Sequence, residues 1–233
     1  MADVSPAGGG ARALYRRWIM ANGWSEAVGL GTTFLVGRAA APWLAASRPA
    51  GVLLSGVAAV ALGTLLEGTV VGAAQARVVR DALPGLRRRG WVYATTLGAG
   101  AAWLLGMVPS TIMAFASADQ GRTPPGEPPA LVQYGLAALL GLVAGPVLGS
   151  AQWLVLRRHR RRAGLWLWAN ACAWAVGMPL IFLGMELVPW ERGGIAAAAA
   201  IYGVCGAAGL AVGAIHGRML LRLVSARPEG AGP

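Results

Sequence analysis

The stretch GTVVGAAQ, Gly68–Gln75, recurs as GPVLGSAQ at Gly145–Gln152 and again as GLAVGAIH at Gly209–His216. Two glycines four apart are followed three residues later by Gln, Gln or His. The chain has 35 glycines in 233 residues and only six Gln or His (four Gln and two His). At that composition chance supplies the pattern about 0.1 times, so three copies mark an internal duplication. The pattern also has a geometric reading. At about 100° per residue, positions 0, 4 and 7 lie on one stripe of a helix. The glycines let a neighbouring backbone approach, the usual packing device in lipid, and the amide or imidazole stands at the end of that contact.

The surroundings of the three copies are apolar. The chain is 56% hydrophobic and 12% charged, with a mean hydropathy of +0.57, beyond the range of soluble domains. Crossing about 30 Å of hydrocarbon takes about 20 helical residues. Six stretches qualify, near residues 18–37, 51–76, 91–115, 131–156, 164–188 and 194–221. They are continuous and rich in Ala, Leu and Gly, with none of the alternation of a barrel strand, so helices are expected.

All 20 basic residues are arginine. Sixteen fall on one side of the expected spans: Arg12, Arg16 and Arg17, then Arg77, Arg80, Arg87, Arg88 and Arg89, then Arg157, Arg158 and Arg160–Arg162, then Arg218, Arg222 and Arg227. Arg38, Arg48, Arg122 and Arg192 fall on the other. The positive-inside rule puts both termini and the two basic loops in the cytoplasm. The net charge of +11 therefore reads as a topology signal and a contact for anionic lipids, and no nucleic-acid partner is expected. Asn22, Trp24, Ser25 and Glu26 interrupt the core that a signal peptide would need, so the first helix is expected to be retained. Arginine without lysine, together with abundant glycine, points to a GC-rich bacterial genome and hence to the bacterial plasma membrane. Residues 1–11 and 226–233 are Gly/Pro-rich and are expected to be disordered tails. The Pro/Gly-rich stretch ADQGRTPPGEPPA, 118–130, reads as an irregular exterior loop.

The odd-numbered spans carry a signature of their own: WIMAN at Trp18, WVYAT at Trp91 and WLWAN at Trp166, with Gly29, Ala102 and Gly177 eleven residues after the tryptophans. The repeat is therefore a two-helix hairpin, with copies at about 12–80, 88–158 and 163–224. Each copy starts and ends on the arginine-rich side, which makes the three parallel. The expected fold is all-α: a six-transmembrane-helix bundle of three tandem parallel hairpins with pseudo-threefold symmetry. The three tryptophans read as anchors at the membrane interface.

Asn22, Thr95 and Asn170 follow the tryptophans by four residues, at a depth similar to Gln75, Gln152 and His216. These six polar groups hydrogen-bond across each hairpin or between hairpins. As structural glue each contributes about 0.6 kcal/mol, seldom above about 1.7; as a ring about the axis they form a binding site for a small polar group or lipid head. The first copy departs from the other two. Glu26 stands where they have Ala99 and Trp174, and Glu67 where they have Ala144 and Ala208. A carboxylate in mid-membrane costs about 2.5–3.5 kcal/mol on the insertion scale, so something offsets two of them: a shared proton, a partner such as Gln, Asn or Arg77, a cation or substrate, or a wet crevice. Glu186 and Glu191 lie near solvent and receive no role.

No hydrolase nucleophile pattern, HExxH, phosphate loop or dinucleotide fingerprint occurs, so no catalytic residue, metal ligand or cofactor is assigned, and enzyme activity ranks below transport and scaffolding. Cys172 and Cys205 show no metal or redox spacing. The stretch GSAQWLVLRRHRRRAGLWLWAN, Gly149–Asn170, resembles segments of uncharacterised multi-pass membrane proteins of bacteria whose Gly-rich helices end in a QWLVLR-like turn. It covers the second and third hairpins, while the first departs from it with Ala76 and Arg77 after its glutamine. The resemblance implies membrane location and repeat structure, and no activity. The expected function is binding or movement of a small solute, ion or lipid through a polar site in the cytoplasmic half, with Glu26 and Glu67 as ionisable members. The competing expectation is a non-transporting scaffold or accessory subunit whose glycine faces pack helices.

Overall fold

The computed structural model describes residues 7–45, 49–120, 128–192 and 194–225. Every regular element among them is helical: α1 (Ala7–Ala45), α2 (Ala50–Ala82), α3 (Arg88–Asp119), α4 (Ala130–Leu156), α5 (Leu165–Glu186) and α6 (Gly194–Ser225), with a single 3-10 turn at Trp190–Arg192. Helix α1 starts at Ala7, so residues 7–11 of the expected tail are helical. The remaining tail residues, Arg227, Arg48 and Arg122, and most of the expected exterior loop lie outside the described residues.

Five of the six helices, α2 to α6, are long and apolar enough to cross a membrane. The chain is a membrane-embedded helical protein. Helix α1 is long enough and too polar, and the reason lies in where its polar groups point. Asn22, Ser25, Glu26 and Thr33 are all buried inside the bundle, while Met20, Val28 and Val36 are exposed on its outer face. The same inversion holds across the described residues. Ten of their polar or charged side chains are buried, whereas Leu65, Leu97, Leu131 and Ile195 are among many large apolar side chains on the surface. In water such a surface is unfavourable; in hydrocarbon it is the solvated one.

The arginine-rich loops, the start of α1 and the end of α6 share one end of the bundle. Arg17 on α1 meets Asp81 on α2 at 3.1 Å, Tyr15 Oη donates to the Ala214 carbonyl of α6 at 2.9 Å, and Arg160 Nε donates to the Leu223 carbonyl at 2.8 Å. The loop between α2 and α3 turns at Gly85, whose φ of +94° only glycine adopts without strain. Helix α2 is interrupted by one π-helical turn, Gly63–Glu67, closed by the Gly68 N–H on the Gly63 carbonyl. Such turns insert a residue into the helix and are frequent where function is found.

The most extensive helix contacts are α1 with α6, α2 with α3, and α4 with α5. These pairs are joined by the arginine-rich loops or, for α1 and α6, by nothing but packing of the first helix on the last. They are not the loop-connected units at the opposite end that the sequence marks as hairpins. The glycines explain the choice. A Cβ on Gly68 would lie 2.9 Å from the Thr96 Cα of α3, one on Gly72 3.1 Å from Val92 Cα, and one on Gly145 against the Asn170 carbonyl of α5. On α6, a Cβ on Gly209 would lie 2.6 Å from the Asn22 carbonyl oxygen of α1, and one on Gly213 3.1 Å from Ile19 Cα. Each even helix thus spends its small-residue face on the odd helix that follows it in space.

Because the obstacle at Gly145 is a backbone carbonyl, Gly145→Ala is expected to lower unfolding stability in detergent by about 1–3 kcal/mol. Gly135→Ala on the same helix meets nothing within 4 Å and is expected to be neutral or slightly stabilising. Equal losses in the two variants, followed by denaturant titration, would refute close packing at this seam.

Candidate functional site

The tryptophans expected at the membrane interface are instead at the centre of the bundle. Trp18, Trp91 and Trp166 are each 0% exposed. Their rings meet edge to face, Trp18 with Trp166 at 5.9 Å between centroids and Trp91 with Trp166 at 6.1 Å. An indole buried this way must place its N–H on an acceptor, and the sequence copies supply one each time. Trp91 Nε1 donates to Gln75 Oε1 at 3.2 Å, Trp166 Nε1 to Gln152 Oε1 at 2.8 Å, and Trp18 Nε1 to His216 Nδ1 at 2.9 Å. This accounts for the histidine in the third copy: its Nδ1 offers the lone pair that the glutamines offer from an amide oxygen. An interfacial position would leave the indole N–H to water, and the acceptors on the neighbouring helices make the central position possible.

All six of the polar candidates belong to this layer. Asn22 Nδ2, Thr95 Oγ1 and Asn170 Nδ2 donate to the carbonyls of Trp18, Trp91 and Trp166, one turn back, at 2.8, 3.0 and 2.9 Å. Gln75 Nε2 donates to Asn22 Oδ1 at 2.8 Å, and Gln152 Nε2 donates both to Thr95 Oγ1 at 2.9 Å and to Gln75 Oε1 at 3.0 Å. Bonds therefore run across the expected hairpins, Gln75 to Asn22 and Gln152 to Thr95, and between them, through the tryptophans. The layer is closed. Leu83, Leu86, Leu156, Leu220 and Leu223 pack around it on the arginine-rich side.

Glu26 and Glu67 lie one level further from the arginines. Both are buried. Close approach is built in: a Cβ on Gly29, one turn beyond Glu26, would lie 2.9 Å from Glu67 Cα. The partner of Glu67 is none of those the sequence offered. Trp103 Nε1 on α3 donates to Glu67 Oε2 at 2.8 Å, and the Trp103 ring lies against Gly63 in the π-helical turn, where any side chain would collide with it. Trp103 is the site residue that sequence reasoning missed. Its signal was a tryptophan in mid-span, away from either interface. Among the described residues, Glu26 Oε2 is the buried side-chain oxygen with no hydrogen-bond partner.

Beyond Glu67 the bundle opens. A cavity of about 410 Å³ lies among α1 to α5, with Glu67 and Trp103 in its wall. It occupies the half away from the arginines, and of the residues expected to form a site, Glu67 lines it. Its lining follows the repeat. Ala99 and Trp174, eight residues beyond their tryptophans, occupy the positions matched to Glu26, and Ala144 occupies the one matched to Glu67. Leu30, Trp103 and Met178 are twelve residues beyond theirs, and Phe34, Met107 and Phe182 sixteen. Four of the six differing positions, Glu67, Ala99, Ala144 and Trp174, therefore line one volume, while Glu26 and Ala208 do not, and among the described residues Glu67 is the sole ionisable one in its wall.

No family model, curated protein or solved structure matches this chain.

Trp166→Phe keeps the ring and removes the N–H, leaving Gln152 Oε1 buried without its donor. A loss of about 1–3 kcal/mol in detergent unfolding is expected, against less than about 0.5 kcal/mol for Trp168→Phe, whose ring is 71% exposed. Trp166→Phe as mild as Trp168→Phe would show that the indole bonds carry no stability.

Proposed function

We propose that this chain is a multi-pass protein of the bacterial plasma membrane that takes a small, mostly apolar molecule into the cavity beside Glu67. The observation that carries the reading is the cavity itself. Its 410 Å³ falls within the roughly 300–1,000 Å³ of small-molecule sites, and it combines apolar and aromatic walls with one ionisable group, the usual make-up of such sites. The close-packed layer of Trp18, Trp91 and Trp166 favours binding from the end away from the arginines over passage straight through the bundle. The glycine faces favour this reading over a scaffold, because Gly68, Gly72, Gly145, Gly209 and Gly213 pack against helices of the same chain.

In this reading three copies of a two-helix unit, arranged about a pseudo-threefold axis, supply the frame, and divergence of the first copy supplies the site. The recurring indole bonds support a common origin of the copies. The arginine clusters at 77–89 and 157–162 face the cytoplasm and contact anionic lipid head groups.

A neutral apolar probe, neopentylbenzene, tests the cavity. At a free concentration a hundred times its Kd it is expected to raise the Tm of the detergent-solubilised full chain by about 5 °C or more. The rise should vanish in Ala144→Phe, which places a ring in the cavity. No rise in the unmodified chain, or an equal rise in the variant, would overturn the reading.

A further inference from the structure

The preferred charge of the cavity's ligand follows from the two carboxyls. Resting on the reading of the cavity as a binding site, we infer that its ligand is a monocation with an apolar body, such as a substituted ammonium, held by the Glu26–Glu67 pair. Two acids are buried close together, with no basic partner among the described residues. The ion pairs Arg17–Asp81 and Arg80–Asp81 are at the arginine-rich end. On α1, Arg17 and Arg38 are nine and twelve residues from Glu26, about 13 and 18 Å along the helix.

The hydrogen bonding of the pair is incomplete. Trp103 Nε1 satisfies one oxygen of Glu67, and Glu26 Oε2 has no donor. One donor does not offset the burial of two carboxyls. A cation lodged beside Glu67 supplies the missing opposite charge, and Glu26, one turn before the Gly29 that packs against the Glu67 backbone, adds to the field the cation meets. No third acidic, histidine or cysteine side chain joins them to complete a metal-binding group among the described residues. An organic cation with few coordination demands therefore fits better than a metal ion.

The rest of the wall suits the same ligand. Trp103, Trp174, Phe34 and Phe182 present aromatic rings, whose faces attract ammonium groups, most strongly when water is excluded. Met107 and Met178 add polarizable, adaptable surface. Among the described residues, the wall contains no arginine or histidine that would favour an anion. A neutral apolar solute would use the same walls and leave the carboxyl pair uncompensated.

Benzyltrimethylammonium and neopentylbenzene have nearly the same shape and differ by the charge of one central atom, nitrogen against carbon. Equilibrium dialysis with the full-length chain in detergent, referred to free probe, compares them. The cation is expected to bind at least about tenfold more tightly. Glu67→Gln should bring the ratio close to one while leaving neopentylbenzene within about threefold of its original affinity, and Glu26→Gln should reduce the ratio by a smaller factor. Equal binding of the two probes to the unmodified chain would overturn the inference and leave the cavity reading intact, as would a cation preference that survives both substitutions. If neither probe binds, the cavity reading itself fails. Should Glu67→Gln not fold, Ala144→Phe decides: a cation preference lost with the cavity supports the inference, and one retained in the filled variant places the cation elsewhere and refutes it.

Discussion

A buried indole N–H needs an acceptor, and in a bilayer no water is at hand to provide one. Three tryptophans at the centre of this bundle meet that requirement through Gln75, Gln152 and His216, and much of the architecture is arranged around those three bonds. Each acceptor can reach its indole only if two helices lie closer than ordinary side chains permit. The glycines one and two turns before the acceptor bring this about. The seam of small residues and the polar residue at its end are thus two parts of one device: the first sets the distance between backbones, and the second uses it.

The same device divides the molecule into two halves of different character. Toward the arginines, aromatic rings, amides and leucines pack at the centre of the bundle, and the polar groups bond with one another. Away from them, the positions on the same helix faces carry Leu30, Phe34, Met107, Ala144 and Met178, which do not meet across the middle, and a cavity remains. Stability and openness are therefore placed at different depths of the same bundle. Glu67 sits at the boundary between them, in a π-helical turn whose Gly63 makes room for the Trp103 ring.

The three recurring stretches differ from one another where the difference changes chemistry. Thr95 replaces asparagine and His216 replaces glutamine with their hydrogen-bonding roles preserved, since a hydroxyl bonds the preceding turn as an amide does and an imidazole nitrogen accepts as an amide oxygen does. Glu26 and Glu67 have no such equivalents: their matched positions hold alanine or tryptophan. They introduce an unmet charge requirement instead of substituting one bond for another. Among described residues whose other buried side-chain polar atoms find partners, the unpartnered Glu26 oxygen singles out this level of the bundle.

The sequence by itself determined that the chain is helical and lives in a membrane, because length, apolarity and the placement of arginines are local properties that lipid reads residue by residue. It also identified Gln75, Gln152, His216, Asn22, Thr95 and Asn170 as related, and Glu26 and Glu67 as exceptional, because spacing on a helix fixes which residues share a face. Which helix each face meets was left to the tertiary structure. Periodicity is the same whether Gly68 and Gly72 turn toward α1 or toward α3, and only packing of all six helices together decides. That choice brought the first helix against the last, moved Trp18, Trp91 and Trp166 from the expected interface to the centre, and gave Glu67 an indole as its partner. A cavity belongs to no single segment at all: it is the space left when five helices have satisfied their closest contacts, and its location depended on where the large side chains had already been spent.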